Sequence, residues 1–323
     1  MTHVQGRNLC LLSGRVHPRL AQDVARALDG SLCKVRLGNF ANGEISCGIQ
    51  QSVRGDDVFI MQTHYGNVND AIMEQAIMID AAKRASAASI TAVCPFLGYA
   101  RQDRKSSGRE PITARLVIDF FALAGADRIM TIDLHSGQTQ GFFDGPFDHL
   151  IAMPTLLAYL QKTFSSKDLV IVSPDAGRVK SAERYSGALD CGMAIIHKQR
   201  SKVRHNTVEA KFLMGDVKGK TCVVIDDMID TAGTICAAAD LLAAHGAKAI
   251  YGVATHGVLS DPALQRIEAS VFTEIICTDT LPIPSQSSKK LRVLSIAPLL
   301  AGAIGAVHTN GSVSALFGGK NQV

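Results

Sequence analysis

The chain has 323 residues, 47% of them hydrophobic and 19% charged. That composition excludes a disordered, collagen-like or coiled-coil protein, and the length suggests about two domains. Lys plus Arg number 33 and Asp plus Glu 29, so the formal net charge is +4, compatible with an anionic substrate without demanding nucleic acid.

In chain order, residues 9–12 form an apolar run too short for a signal peptide. Residues 57–63 (DVFIMQT) read as a buried strand. Residues 70–85 read as a helix, with Ile72, Met73, Ala76, Ile77 and Ile79 on its apolar side. A strand at 89–96, a helix at 113–124, a strand at 129–134 and a helix at 153–164 follow. The second half repeats the rhythm, with strands at 169–173, 193–196, 221–225 and 248–255 and helices at 235–245 and 261–269. Such alternation means βαβ units and an α/β fold with mostly parallel sheets flanked by helices. Gly145-Pro146 punctuates the chain and places a domain boundary near residues 148–154. The apolar stretch 293–307 is broken by Ser295, Pro298, Gly302 and Gly305 and falls short of the ~20 residues that span a bilayer. The eight cysteines form no CxxC pair and sit mostly in apolar runs, as buried thiols of a reducing compartment do. A soluble cytoplasmic protein with no membrane or nucleic-acid partner is expected.

In open α/β sheets ligands bind beyond the C-terminal ends of strands, so the residues after each apolar run carry the chemistry. The most specific segment is 221–234, TCVVIDDMIDTAGT. An apolar strand runs into Asp226-Asp227, then Asp230, Thr231, Ala232, Gly233 and Thr234, then a helix. Small residues let the backbone approach a phosphate, and the N–H groups of the helix start favour the anion. Three carboxylates would repel a phosphate, so they suit ribose hydroxyls or a magnesium shell. The plain alternative is a strand, an acidic turn and a helix cap. The run resembles the phosphoribosyl diphosphate (PRPP) motif of the type I phosphoribosyltransferase fold.

Four further segments narrow the choice: FANGEI at 40–45, YARQDRKSSGREP at 99–111, TIDLHSGQTQGFF at 131–143 and VSPDAG at 172–177. With them the chain resembles the phosphate-activated, magnesium-dependent ribose-phosphate pyrophosphokinases over nearly its whole length. The resemblance implies two similar type I phosphoribosyltransferase-like domains, 1–150 (joined by the tail 305–323) and 151–304. It implies a homo-oligomer built from dimers, usually a hexamer.

By the same resemblance Arg101, Gln102 and Asp103 belong to an ATP site. Phe40, Asn42 and Glu44 reach the nucleotide from a partner subunit. His135 and Asp175 hold the magnesium bound to ATP. Asp226, Asp227, Asp230 and residues Thr231, Ala232, Gly233 and Thr234 take ribose 5-phosphate. Lys198 and Arg200 lie on a catalytic loop, where mobile cations neutralise the transferring group. Ser52, Arg54, Ser312 and Ser314 match a regulatory site for inorganic phosphate, an activator, and ADP, an inhibitor. No residue stands out as a general base.

Two departures from the family pattern are visible. Arg178 stands where a second glycine is usual, either to contact phosphate or simply at a helix start. The stretch 198–215 looks about two residues longer than usual and lacks the proline that commonly follows the arginine. Three rivals remain at this point. A catalytically silent regulatory relative should have lost the loop cations or metal ligands. A PRPP-consuming phosphoribosyltransferase would leave FANGEI and RQDRK unexplained. A nucleic-acid-binding regulator would need a DNA-binding segment, and none is visible.

Overall fold

Runs of Val, Ile and Leu between polar turns become strands covered on both faces, as parallel sheets require. The computed structural model describes residues 6–199, 210–283 and 288–318, with 198, 199, 210 and 211 in backbone only. Arg200 therefore lies outside the described residues. The chain divides into two compact units: Met1–Ala152 with Thr280–Pro282 and Ser295–Val323, and Met153–Asp279 with Ile283–Leu294.

The first unit runs β1 (Leu9–Ser13), α1 (Pro18–Ala27), β2 (Val35–Asn39), β3 (Ile45–Ile49), β4 (Asp57–Met61), α2 (Val68–Arg84), β5 (Ser89–Cys94), α3 (Thr113–Ala124), β6 (Arg128–Ile132) and β7 (Phe147–Leu150). A parallel sheet takes the order β1-β4-β5-β6-β7. Leu12, Ile60, Ile79, Ile118, Phe121 and Ile129 lie in its core. The helix α2 is rotated from the expected face. Ile72, Ala76 and Ile79 are buried, but Met73 is exposed, and Glu74 and Gln75 are buried instead. Those two polar side chains are tolerated inside because both are hydrogen-bonded: Gln62 Nε2 donates to Glu74 Oε1 at 2.7 Å, and Gln75 Nε2 donates to the Ile60 carbonyl at 2.9 Å.

The second unit runs α4 (Met153–Thr163), β8 (Leu169–Ser173), α5 (Val179–Leu189), β9 (Gly192–Gln199), β10 (Ala210–Met214), β11 (Thr221–Ile229), α6 (Gly233–Ala244), β12 (Ala249–Gly257), α7 (Ala263–Ala269), β13 (Glu274–Thr278) and β14 (Leu291–Leu294). Its sheet order is β10-β9-β8-β11-β12-β13-β14, parallel except where β10 meets β9. Val172, Val224, Ile196, Ile235, Leu242 and Ile275 form its core. The strand β11 does not stop at residue 225. It continues through Asp226 and Asp227 because β12 is equally long and offers Ala254 and His256 as partners for Asp226 and Met228.

The apolar stretch near residue 300 forms α8 (Ala297–His308), which belongs to the first unit. Its last residue is buried, and His308 Nδ1 lies 2.9 Å from Asp57 Oδ2 on β4. Among the described residues no helix is long and apolar enough to cross a membrane. All eight cysteines are free.

Candidate active site

In the first unit, residues 40–44 and 101–103 sit on two built loops. The β2–β3 hairpin closes tightly: Phe40 N–H donates to Glu44 O at 2.8 Å and Gly43 N–H to Phe40 O at 2.9 Å. Gly43 supplies the positive φ of 92° that the turn needs. Asn42 Oδ1 accepts from Glu44 N–H at 3.3 Å. The Phe40 ring is left 60% exposed at the tip of this ordered turn. The hairpin base is tied to buried Glu74 through Arg15, whose backbone N–H donates to Glu74 Oε1 at 2.8 Å and whose Nη1 donates to Asn39 Oδ1 at 2.6 Å.

The loop after β5 carries Arg101, Gln102 and Asp103. Gln102 N–H donates to Tyr99 O at 2.8 Å, and the Gln102 side-chain oxygen accepts from Thr113 Oγ1 at 2.6 Å, at the start of α3. Tyr99 sits at φ 62°, a left-handed conformation held by its surroundings. Glu110 closes the same loop. The Ser107 hydroxyl and the N–H groups of Ser107 and Ser106 donate to its carboxylate and hold it below the usual carboxylate range. After β6, His135 is half-buried, and Asp133 two residues earlier has φ 37°. Ser52, Arg54, Ser312 and Ser314 are all exposed; Arg54 Nη1 donates to Ser86 Oγ at 3.1 Å.

In the second unit the segment after β8 turns sharply. Asp175 Oδ1 accepts from Gly177 N–H at 2.8 Å, which anchors that carboxylate at the strand end. Three residues on, Arg178 swings back across the end of β11. Its Nη2 lies 2.7 Å from Asp227 Oδ2 and its Nε 3.4 Å from Asp226 Oδ1. Burial, then the bond to Asp227 and the like charge of Asp227, push the Asp226 carboxyl up to about 8, against the pull of Arg178. Asp227 makes the shorter of the two contacts with the guanidinium.

Beyond β11, Ala232 adopts φ 59° and ψ 4° immediately before α6, and no side chain caps that helix. Its first N–H groups are therefore not taken up by a capping side chain, as an anion site requires. Arg266 of α7 steadies the loop by donating from Nη1 to Thr231 O at 2.9 Å. The structure thus brings Asp226, Asp227 and the 230–234 loop to one strand end. Lys198 lies near the end of β9, paired in register with Lys211 of β10.

Sequence reasoning missed Arg266 and Glu74. Neither lies in a motif, and a single charged residue on a helix carries no local signal. Arg178 was noticed, and the structure sets it against the carboxylates of Asp226 and Asp227.

Residues 9–125 match a family model described as the N-terminal domain of ribose phosphate pyrophosphokinase, and residues 210–318 one described as a phosphoribosyl synthetase-associated domain. A ribose-phosphate pyrophosphokinase of Bifidobacterium longum is 54% identical over 315 residues, covering 96% of this chain and 93% of that one. One from Streptomyces avermitilis is 53% identical over 312 residues, 96% of each chain. The crystal structure of phosphoribosylpyrophosphate synthetase from Mycobacterium smegmatis, 51% identical, matches with a TM-score of 0.89 over 94% of this chain and 100% of that one. The chain belongs to the ribose-phosphate pyrophosphokinase family.

Proposed function

We propose that the chain transfers the β,γ-diphosphoryl group of ATP to the C1 hydroxyl of ribose 5-phosphate, giving PRPP and AMP. The C1 oxygen attacks the β-phosphorus, the bond from that phosphorus to the α,β-bridging oxygen breaks, AMP leaves with that oxygen, and the hydroxyl proton passes to solvent. The observation that carries this reading is the end of β11: a part-buried carboxylate pair followed by an α6 N-terminus with no side-chain cap. A sugar phosphate matches both halves, with hydroxyls for the carboxylates and an anion for the helix start.

On this reading Asp226, Asp227 and Asp230 accept ribose hydroxyls, and residues 231–234 cradle the 5-phosphate. Arg101, Gln102 and Asp103 take ATP. The exposed Phe40 ring, with Asn42 and Glu44, reaches the nucleotide of a partner subunit. Lys198 and Arg200 neutralise the transferring group. Asp175, with one oxygen already anchored, is the kind of donor a hard cation prefers. His135 suits an outer-sphere contact better than direct ligation. Magnesium, when bound, would neutralise and orient the phosphate oxygens.

An oligomer is supported by an apolar stripe on the α3 side, where Ile112, Leu116 and Leu123 are 38%, 66% and 80% exposed. Phosphate and ADP as effectors at Ser52, Arg54, Ser312 and Ser314, and a cytoplasmic location, complete the proposal.

The test is nucleotide release from ATP and magnesium with and without ribose 5-phosphate. AMP that appears only with the sugar phosphate supports the reading. ADP, or AMP released equally without the sugar, overturns it. Saturable binding with no AMP would favour a silent regulatory relative.

A further inference from the structure

The pairing of β11 with β8 ends at Val224 opposite Val172, whereas its pairing with β12 continues past Asp226. One flank of the Asp226–Asp227 segment is therefore not covered by a strand. The chain leaves β8, turns at Asp175 and returns Arg178 to that flank. The side chains of Arg178, Asp226 and Asp227 are 18%, 18% and 8% exposed, so the contact is largely shielded from water. A guanidinium is a rigid planar fork, and here one fork addresses two carboxylates through different nitrogens. A fork bonded to both side chains fixes their relative orientation.

We propose that Arg178 is a positioning residue for ribose 5-phosphate, holding the Asp226 and Asp227 carboxylates side by side so that they present acceptors to the sugar hydroxyls. The proposal rests on the reading of Asp226 and Asp227 as the ribose site. Arg178 acts through them and does not itself touch the sugar. Its loss is felt in sugar-phosphate binding and not in ATP binding, which uses residues elsewhere. The effect must also vanish once the carboxylates are gone.

The test uses the full chain, with ribose 5-phosphate titrated calorimetrically in magnesium and α,β-methylene ATP. Arg178→Ala should weaken ribose 5-phosphate by at least ~10-fold, the scale of losing one partner of a shielded charge pair, with affinity for the ATP analogue unchanged. In an Asp227→Asn background the same change should cost much less, because the pair it aligns is already broken. Arg178→Lys keeps one charge without the fork and should fall between wild type and alanine. It also serves if the alanine variant does not fold.

Wild-type affinity in Arg178→Ala, or in Arg178→Lys should that alone fold, overturns the proposal and leaves the ribose reading standing. Strict additivity with Asp227→Asn also overturns it, since Arg178 would then contact the ligand independently. A wild-type chain that binds no ribose 5-phosphate overturns the ribose reading and the proposal with it.

Discussion

At the scale of single residues, the chemistry concentrates where polar groups are held inside. The Asp226–Asp227 pair carries a desolvation cost that Arg178 and backbone N–H donors partly offset, and a shielded pair of this kind at a strand end points to binding more than to packing. Replacing both by asparagine should abolish most ribose 5-phosphate binding while leaving ATP binding intact. Calorimetry that finds the sugar phosphate still bound at wild-type affinity would contradict the assignment.

His64 makes a second residue-scale case. Gly98 N–H donates to its Nδ1 at 2.9 Å, so the ring proton resides on Nε2 and faces Gln75 Oε1 at 2.8 Å. Complete burial pushes its pKa from 6.5 down to about 4. A second proton would have to sit on Nδ1, against an N–H donor. Between these values the unfolded chain binds a proton that the native chain refuses. The stabilisation is thus fully present above the unfolded value and is lost as pH falls toward the folded one. Urea midpoints taken from about pH 7 to about pH 4.5 should fall less steeply for His64→Gln than for wild type; identical slopes would contradict this.

At the scale of elements, most motifs were legible because they follow apolar runs, and except for the hairpin around residues 40–45 the strands that carry them were found to within a few residues. What escaped was set by partners distant in sequence. β11 extends past Ile225 because β12 is there to pair with it, and no property of Asp226 announces that. β9 continues to Gln199 because β10 folds back on it. The hairpin of β2 and β3 does alternate, with Val35, Leu37, Cys47 and Ile49 packed toward the core, but Gly38, Ser46 and Gly48 weaken its strand propensity.

Lys198 lies on the β9–β10 ladder, so on the proposed mechanism the ladder's integrity bears on catalysis. Gly215, just past β10, has φ 113°, and a Cβ there would lie 2.9 Å from both Ala194 Cβ and Met193 O. Gly215→Ala should cost roughly 1–3 kcal/mol in urea unfolding, and wild-type stability would contradict the strain. Lys198→Ala should lower kcat by about 10²–10³ with little change in either KM, because its charge acts in the transition state. A large rise in KM with kcat preserved would assign Lys198 to substrate binding instead.

At the scale of the whole molecule, the α/β class and the parallel sheets were readable from alternation alone. The family was readable from several motifs in one order, and relatives above 50% identity over nearly the full length place the chain in it. The course of the tail was less legible. The apolar stretch around residue 300 excludes a membrane span by its interruptions, yet nothing in it shows that α8 joins the first unit. That placement involves His308 beside Asp57, two residues 251 apart in sequence. The partners of Arg178 and Arg266 are invisible for the same reason, since each acts on a backbone or side chain brought near only by folding.

The most direct test of the central claim is phosphorus NMR of a reaction containing the full chain, ATP, magnesium and ribose 5-phosphate. The account predicts AMP together with two new coupled diphosphate signals on a sugar that keeps its 5-phosphate. ADP with a ribose bisphosphate, the products of single phosphoryl transfer, would contradict it.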